Sequence, residues 1–287
     1  MLRKLIKHEF RATGRIMLPL FAAIIVLSVM AGFSTRILDN PDSIPLFNAI
    51  GIFILCAYFA ALSSVGIVAL VIMLQRFEKN LLGDEGYLMF TLPVSVDKHI
   101  FSKLIVSVVW FACVALISLS MLLMLFSADT QAIGSIVRGF EGLGEALGRG
   151  FARLGGGSTA AGIAHTVGYV LELIIGAVVF TAEICLRVYS AMAIGYSFKN
   201  HKKLLSVVTF FAMIILLNTI GGAIMSLAER FVLDPYWSTF RDWAVTSAGM
   251  SLSVHIAFIG MILYGLLLCL IFYLPTKYFL KNRLNLA

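Results

Sequence analysis

The stretch Pro45–Gln75, PLFNAIGIFILCAYFAALSSVGIVALVIMLQ, contains no Asp, Glu, Lys, Arg or His over 31 residues. An α-helix needs about 20 mostly apolar residues to cross the roughly 30 Å hydrocarbon core of a bilayer. Because the stretch is longer than that, it predicts a membrane-spanning helix that tilts or projects beyond the bilayer.

Five further apolar stretches are long enough to span a membrane. They are Ile16–Phe33, Leu104–Phe126, Ile163–Leu186, Leu204–Ala228 and Met250–Thr276. The fourth of the six spans carries two glutamates. A dozen Leu, Ile, Val and Phe side chains, at about 0.3–0.6 kcal/mol each, nevertheless outweigh one acid at about 3 kcal/mol. The sequence therefore predicts an all-α integral membrane protein with six transmembrane helices.

The composition agrees with this fold class. Hydrophobic residues make up 60% of the chain and charged residues only 13%, with a mean hydropathy of +0.98. Soluble domains carry roughly 25% charged residues, so this chain has too little charge to cover a surface that faces water. Its 287 residues suit a single transmembrane domain over residues 1–287.

Lysine and arginine are unevenly distributed between the loops. With the N-terminus inside, 16 of the 22 basic residues fall on the inner side, and this bias predicts a cell-membrane protein with both termini in the cytoplasm. The basic residues lie at the ends of apolar runs and form no single patch. Membrane topology therefore explains the net charge of +7, and we expect no nucleic-acid partner. The six basic residues placed outside are Arg36, Arg138, Arg149, Arg153, Arg230 and Arg241.

Residues 1–15, MLRKLIKHEFRATGR, have the pattern of a basic amphipathic helix. Leu2, Leu5, Ile6 and Phe10 recur at helical spacing, and most of the basic residues fall on the other faces. This pattern predicts an interfacial helix in the inner headgroup region, in contact with membrane lipid. A simple topology signal without a further role is the other interpretation.

The inner segment 76–103 between the second and third spans is rich in both charged and apolar residues. Asp84 and Glu85 suit the first turn of a short helix, where negative charge meets the positive end of the helix dipole. Pro93 ends that helix, and Ser95 is a candidate N-cap for the next. The segment is suited to dock on a cytoplasmic partner, although a simple helical turn-around also fits the pattern.

The run RFEKNLLGDEGYLMFTLPVS, from Arg76 to Ser95, closely resembles the corresponding segment of one group of bacterial permeases, the transmembrane subunits of type-2 ABC exporters. The six-span plan and the basic amphipathic start are similar too, but only this run has motif-level specificity. In that family the first inner loop forms a coupling helix that sits in a cleft of a separate ATPase subunit.

This resemblance implies an ATP-driven exporter that works by alternating access, together with a second permease subunit that is either identical or different. It also assigns an ATPase-coupling role to part of the inner segment. The implied coupling residues are Glu78, Lys79, Asp84, Glu85, Gly86, Tyr87, Leu88, Phe90 and Pro93. The chain has no G-x-x-x-x-G-K-[ST] phosphate-binding loop. We therefore expect no cofactor on this chain, and ATP and Mg²⁺ in the partner ATPase.

The outer segment 127–162 departs from the commonest pattern of that family. It is long and rich in glycine, yet its apolar residues fall roughly on one helical face. One or two short amphipathic helices on the outer surface, or a flexible glycine-rich loop, both fit this pattern.

Charged side chains within the fourth span are the candidate residues for a transport path or a subunit interface. Glu172 and Glu183 are eleven residues apart, about 16 Å of helical rise, and therefore share a face. Intramembrane charge usually faces a cavity, a partner or the protein interior. The structural interpretation pairs Glu183 with Arg187 and bonds Glu172 to a neighbouring helix. Asn218, in the fifth span, is equally ambiguous.

His165 lies seven residues before Glu172 and near the same stripe. We interpret His255, in the sixth span, as a helix–helix hydrogen-bonding residue.

Two other classes of protein deserve comparison. An ion-coupled secondary transporter would be expected to show two matching halves with interrupted helices, and no such repeat is visible. Glu183-x-x-x-Arg187 faintly resembles the E-E-x-x-x-R motif of CAAX-type intramembrane proteases, but residue 182 is Ala and the ordered histidines of such a site are missing. We therefore expect the chain not to be an enzyme by itself.

Overall fold

The computed structural model describes residues 2–38, 44–83, 86, 94–120, 159–198, 200–228, 230 and 247–282. Across these residues the long elements are all helices, and six of them are long and apolar enough to cross a membrane. The predicted all-α, multi-pass membrane fold is confirmed at this level. The helices are α1 (Leu2–Leu38), α2 (Pro45–Phe77), α3 (Val96–Ser118), α4 (Thr159–Gly195), α5 (Lys202–Ala228) and α6 (Ser247–Asn282).

Helix α1 joins the amphipathic start to the first span without a break. Its 37 residues include Pro19 and extend for about 55 Å at 1.5 Å per residue. Lys4, Lys7 and Arg11 are exposed, whereas Glu9 and Thr13 are buried. The predicted apolar residues Leu2, Leu5, Ile6 and Phe10 are half-buried in the first turns of this longer helix, and its amphipathic character stays a prediction. A headgroup location for these turns stays a prediction.

The chain divides into two compact units, which are described separately. The first contains α1, α2 and α3, with Met17, Ala69 and Trp110 in its core. A second cluster packs Ile24 and Ala31 of α1 against Tyr58 and Val65 of α2. Burial of these side chains stabilises the three-helix packing by dispersion contacts, because hydrocarbon lipid offers little hydrophobic drive between helices.

One group of polar contacts in the first unit lies near the start of α1. The Lys103 Nζ donates to Glu9 Oε1 at 2.7 Å, and both side chains are at most 10% exposed. Arg76 Nη1 lies 4.0 Å from the other Glu9 oxygen. One turn further along α1, Trp110 Nε1 donates to Thr13 Oγ1 at 2.8 Å. These bonds fix the start of α1 against α3, and none of them was predicted from sequence.

The second unit contains residues 78–96 together with α4, α5 and α6. Helix α4 packs against both α5 and α6. Small residues permit these contacts: a Cβ on Gly195 would lie 2.6 Å from Ser206 Cα, and one on Gly265 would lie 2.8 Å from Val179 Cγ1. Atoms cannot approach so closely, so glycine is needed at both contacts, and at Gly195 the backbones of α4 and α5 are in direct contact.

A π-helical turn, Glu78–Leu82, follows α2. It ends where Gly83 N donates to the Glu78 carbonyl at 2.8 Å. Helix α3 begins at Val96, directly after the predicted N-cap Ser95. Of the remaining predicted coupling residues, Lys79 is exposed and Gly86 is buried. Outside the described residues lie Asp84, Glu85, Tyr87, Leu88, Phe90 and Pro93, as well as residues 127–158 of the predicted outer segment.

Candidate functional site

A cavity of about 600 Å³ lies between α4, α5 and α6 within the second unit. We call it the α4–α6 cavity. Its walls are mainly apolar and aromatic, with polar groups contributed by each of the three helices. The lining includes Leu173, Val179, Phe180, Leu217, Phe258, Met261 and Leu268, and the polar residues Glu183, Arg187, Asn218 and Tyr264. A mostly apolar space with a few convergent polar groups is typical of ligand sites in proteins.

Glu183 and Arg187 form an ion pair one turn apart on α4. Arg187 Nε donates to Glu183 Oε1 at 2.9 Å, and Arg187 Nη2 contacts the same oxygen. The Glu183 side chain is only 3% exposed, whereas that of Arg187 is 23% exposed. The guanidinium also lies 5.5 Å from the centre of the Phe272 ring on α6, a cation–π geometry. The pair therefore places a partly accessible positive group on the cavity wall.

Asn218 reaches the same cavity from α5, and Tyr264 reaches it from α6. Both side chains are exposed. The structure thus brings three of the four predicted intramembrane residues, Glu183, Arg187 and Asn218, to one space, which their separation in the chain did not predict. The contact between Glu183 and Arg187 was itself predicted from the sequence, as the structural alternative to a role in transport.

Glu172 does not line this cavity. Its Oε1 instead lies 2.7 Å from His255 Nδ1 on α6, and each of the two side chains is 16% exposed. The His255 Nε2 lies 3.1 Å from His165 Nδ1 of α4. Sequence analysis placed His165 on the Glu172 stripe and gave His255 a helix–helix role, but it did not join the three residues into one chain.

A second polar group within the second unit joins the π-helical turn Glu78–Leu82 to the connection between α4 and α5. The Tyr196 hydroxyl donates to Glu78 Oε1 at 2.6 Å, and Lys203 Nζ lies 3.1 Å from the same oxygen. We call these three residues the Glu78 joint. Glu78 was predicted to contact an ATPase, and the structure shows that its carboxylate is already bonded within the chain. The sequence contains no signal for its partners, since Tyr196 lies 118 residues away.

Tyr196 remains a hydrogen-bond donor under ordinary conditions. Its side chain is buried, and burial together with the bond to Glu78 raises the pKa of Tyr196 well above its usual value. The hydroxyl therefore keeps its proton at neutral pH and donates it to the Glu78 carboxylate. In the Glu78 joint, the carboxylate is therefore bonded by one buried neutral donor, Tyr196, and by one cation, Lys203, whose side chain is 80% exposed.

Across the residues that the structure describes, no group of three or more His, Cys, Asp or Glu side chains is arranged to hold a metal ion. Comparison with models of protein families, with curated proteins and with solved structures found no match to this chain.

Proposed function

We propose that this chain is the permease subunit of an ATP-driven ABC exporter, moved by a separate ATPase that docks on the segment Arg76–Ser95. The observation that carries the proposal is the Glu78 joint. This acidic and aromatic segment contains Glu78 near its start, and Glu78 is bonded to Tyr196 and Lys203 beside α4 and α5. A force applied to the segment would therefore reach the connection between those two helices.

From that connection the structure offers a short route to the α4–α6 cavity. Tyr196 directly follows α4, and Arg187 and Glu183 lie two to four turns earlier on the same helix. Because Gly195 packs directly on Ser206 of α5, displacement of Tyr196 would shift both helices together. In the proposed mechanism, closure of an ATPase pair pulls the segments of two permease subunits and changes the side from which the cavity is open.

The energy source belongs to the partner in this proposal. The chain itself lacks the glycine-rich phosphate-binding loop of P-loop ATPases, so ATP and Mg²⁺ would be bound by the ATPase subunit. The second permease subunit is a further copy of this chain or a related one. Apolar walls with an exposed amide, a phenol and a partly accessible guanidinium suit an amphiphilic cargo.

The proposal is tested by purifying the native complex from its own cells with an affinity tag on this chain. We expect an ATPase subunit to co-purify and to be lost when Asp84, Glu85 and Tyr87 are all replaced by Ala. The matched control replaces three acids of the predicted outer segment, Asp129, Glu141 and Glu145, with Ala. Retention of the ATPase by the first triple variant would argue strongly against the proposal.

The role of the Glu78 joint is tested separately from docking. Tyr196→Phe removes the hydroxyl that binds Glu78 and leaves the Arg76–Ser95 segment unchanged. We expect the ATPase to remain bound while cargo-stimulated ATP hydrolysis falls. Equal hydrolysis in the wild type and in this variant would show that the joint does not transmit the force.

An ion-coupled secondary transporter is the second candidate, and one observation favours it. The chain Glu172–His255–His165 is a run of ionisable groups within membrane-spanning helices, and such runs commonly mark proton pathways. Uptake driven by a proton gradient in liposomes that contain only this chain would select this candidate over the exporter. Uptake that requires both ATP and the ATPase would select the exporter.

A further inference from the structure

Residues of α4 contact His255 of α6 at both ring nitrogens and on its ring face. Its Nδ1 lies 2.7 Å from Glu172 Oε1, and its Nε2 lies 3.1 Å from His165 Nδ1. The Tyr169 ring stacks on the imidazole with 4.3 Å between ring centres. A Cβ on Gly168 would lie 2.9 Å from His255 Cε1, so only glycine leaves room for the ring. Both ring nitrogens and the ring plane are therefore fixed, which is the geometry of a built site.

The number of protons on Glu172, His255 and His165 sets the net charge of this site. With Glu172 ionised and both imidazoles neutral, the three groups carry one negative charge. One additional proton makes the set neutral, either as an imidazolium between Glu172 and His165 or as a protonated carboxyl. An uncompensated charge is costly to bury within a membrane-spanning segment, and the added proton compensates the charge of Glu172.

The second oxygen of Glu172 strengthens this inference. Glu172 Oε2 is buried and has no hydrogen-bond partner among the described residues. An ionised carboxylate with one bare, buried oxygen pays a large desolvation cost. A bound proton removes or balances that charge without any rearrangement of the helices.

We propose that Glu172, His255 and His165 form an intramembrane proton-binding site, in which a proton passes between His165 and Glu172 through the His255 ring. The transfer needs no other reactant. The extra proton first makes His165 an imidazolium; its Nδ1 proton then moves to His255 Nε2 while His255 gives its Nδ1 proton to Glu172 Oε1, which leaves both imidazoles neutral and Glu172 protonated. His165 and Glu172 are seven residues apart, so the three side chains connect two positions that are separated by about 10 Å of rise along α4.

The neighbouring helices contribute few other ionisable groups. Tyr169 is the titratable residue of α4 that lies against His255. Residues 204–228 of α5 contain no ionisable side chain, and the next one on α6 after His255 is Tyr264, nine residues further on. This inference does not depend on an ATPase partner.

The test is histidine ¹⁵N NMR of the full-length protein in lipid nanodiscs over a range of pH, with signals assigned by His165→Asn and His255→Asn. We expect the two imidazoles to change protonation together in one coupled step. Glu172→Gln should abolish that step and bind one proton fewer per chain. The matched control, His8→Gln on the exposed face of α1, should leave the coupled step unchanged.

A second variant keeps every titratable group and changes only the geometry. Gly168→Ala displaces the His255 ring and should uncouple the two histidines. In Gly176→Ala on the same helix, the added methyl meets Ile262 at an ordinary 3.8 Å, so the coupling should persist. Independent protonation of His165 and His255 in the wild type would overturn the proposal. Equal behaviour of Gly168→Ala and the wild type would overturn it as well.

Discussion

The two units each bond a glutamate to a lysine, but in very different surroundings. In the α1–α3 unit, Glu9 faces Lys103, whose side chain is 4% exposed; in the other unit, Glu78 faces Lys203, whose side chain is 80% exposed. Loss of one partner from a buried ion pair strongly destabilises a protein, whereas an exposed pair contributes little to stability. The Glu9 pair therefore suits a permanent connection between helices, and the Glu78 joint suits a connection that forms and breaks.

The largest effect is expected from Lys103→Met, which removes the closest partner of buried Glu9. The free energy of unfolding should fall by about 3–5 kcal/mol, measured by thermal denaturation in detergent with circular dichroism. Lys98→Met, at an exposed position on the same helix, is the control and should change little. The double variant Glu9→Gln with Lys103→Met should recover part of the loss, because neither charge is then buried.

A smaller loss is expected from Gly195→Ala, which moves the connection that carries Tyr196 and Lys203. The added methyl would overlap the Ser206 backbone, and such overpacking costs about 1–3 kcal/mol. The same denaturation measurement applies. Gly222→Ala provides the contrast, because a Cβ there meets no atom within 4 Å and alanine favours the helix. Equal destabilisation by the two variants would contradict the close contact between α4 and α5.

Tyr196→Phe should weaken the Glu78 joint without disturbing packing. The phenyl ring keeps its buried position, and only the 2.6 Å bond to Glu78 is lost. We expect a decrease of about 1 kcal/mol in the free energy of unfolding, which the same denaturation assay would measure. A loss as large as that of Lys103→Met would show that the joint is as structural as the Glu9 pair.

The smallest effect is expected from Lys203→Gln. The lysine is largely exposed, so its bond to Glu78 should contribute less than about 1 kcal/mol and should weaken further as salt is added. Melting curves at low and high ionic strength would measure both. A loss of stability that does not depend on salt would show that Lys203 behaves like the buried Lys103. The lysines of the two units would then not differ in this respect.

The membrane fold was predictable because it depends on local pattern. An uninterrupted apolar run such as Pro45–Gln75 can form all its backbone hydrogen bonds in lipid only as a helix. The sequence therefore predicts a helix there directly. The fusion of residues 1–15 and the first span into one helix was not predictable, because Gly14 and Pro19 lie beside the junction and both residue types weaken a helix.

The polar contacts were not predictable, because each joins residues that are distant in the chain. Glu9 and Lys103 are 94 residues apart, and His255 lies 83 residues from Glu172. Helical periodicity places Glu172 and Glu183 on one face of α4, but it does not say which helix covers each turn of that face. Only packing decides that one glutamate borders a cavity and the other meets a histidine.

Pro19 has a consequence for how α1 adapts to its surroundings. A proline within a helix has no N–H, so the carbonyl of Arg15 loses its partner at the point where the apolar stretch begins. The turns before that point are anchored by the ion pair between Glu9 and Lys103. A change in bilayer thickness would therefore be absorbed as bending at this single peptide, and the anchored turns would keep their place while the rest of the helix changes its tilt.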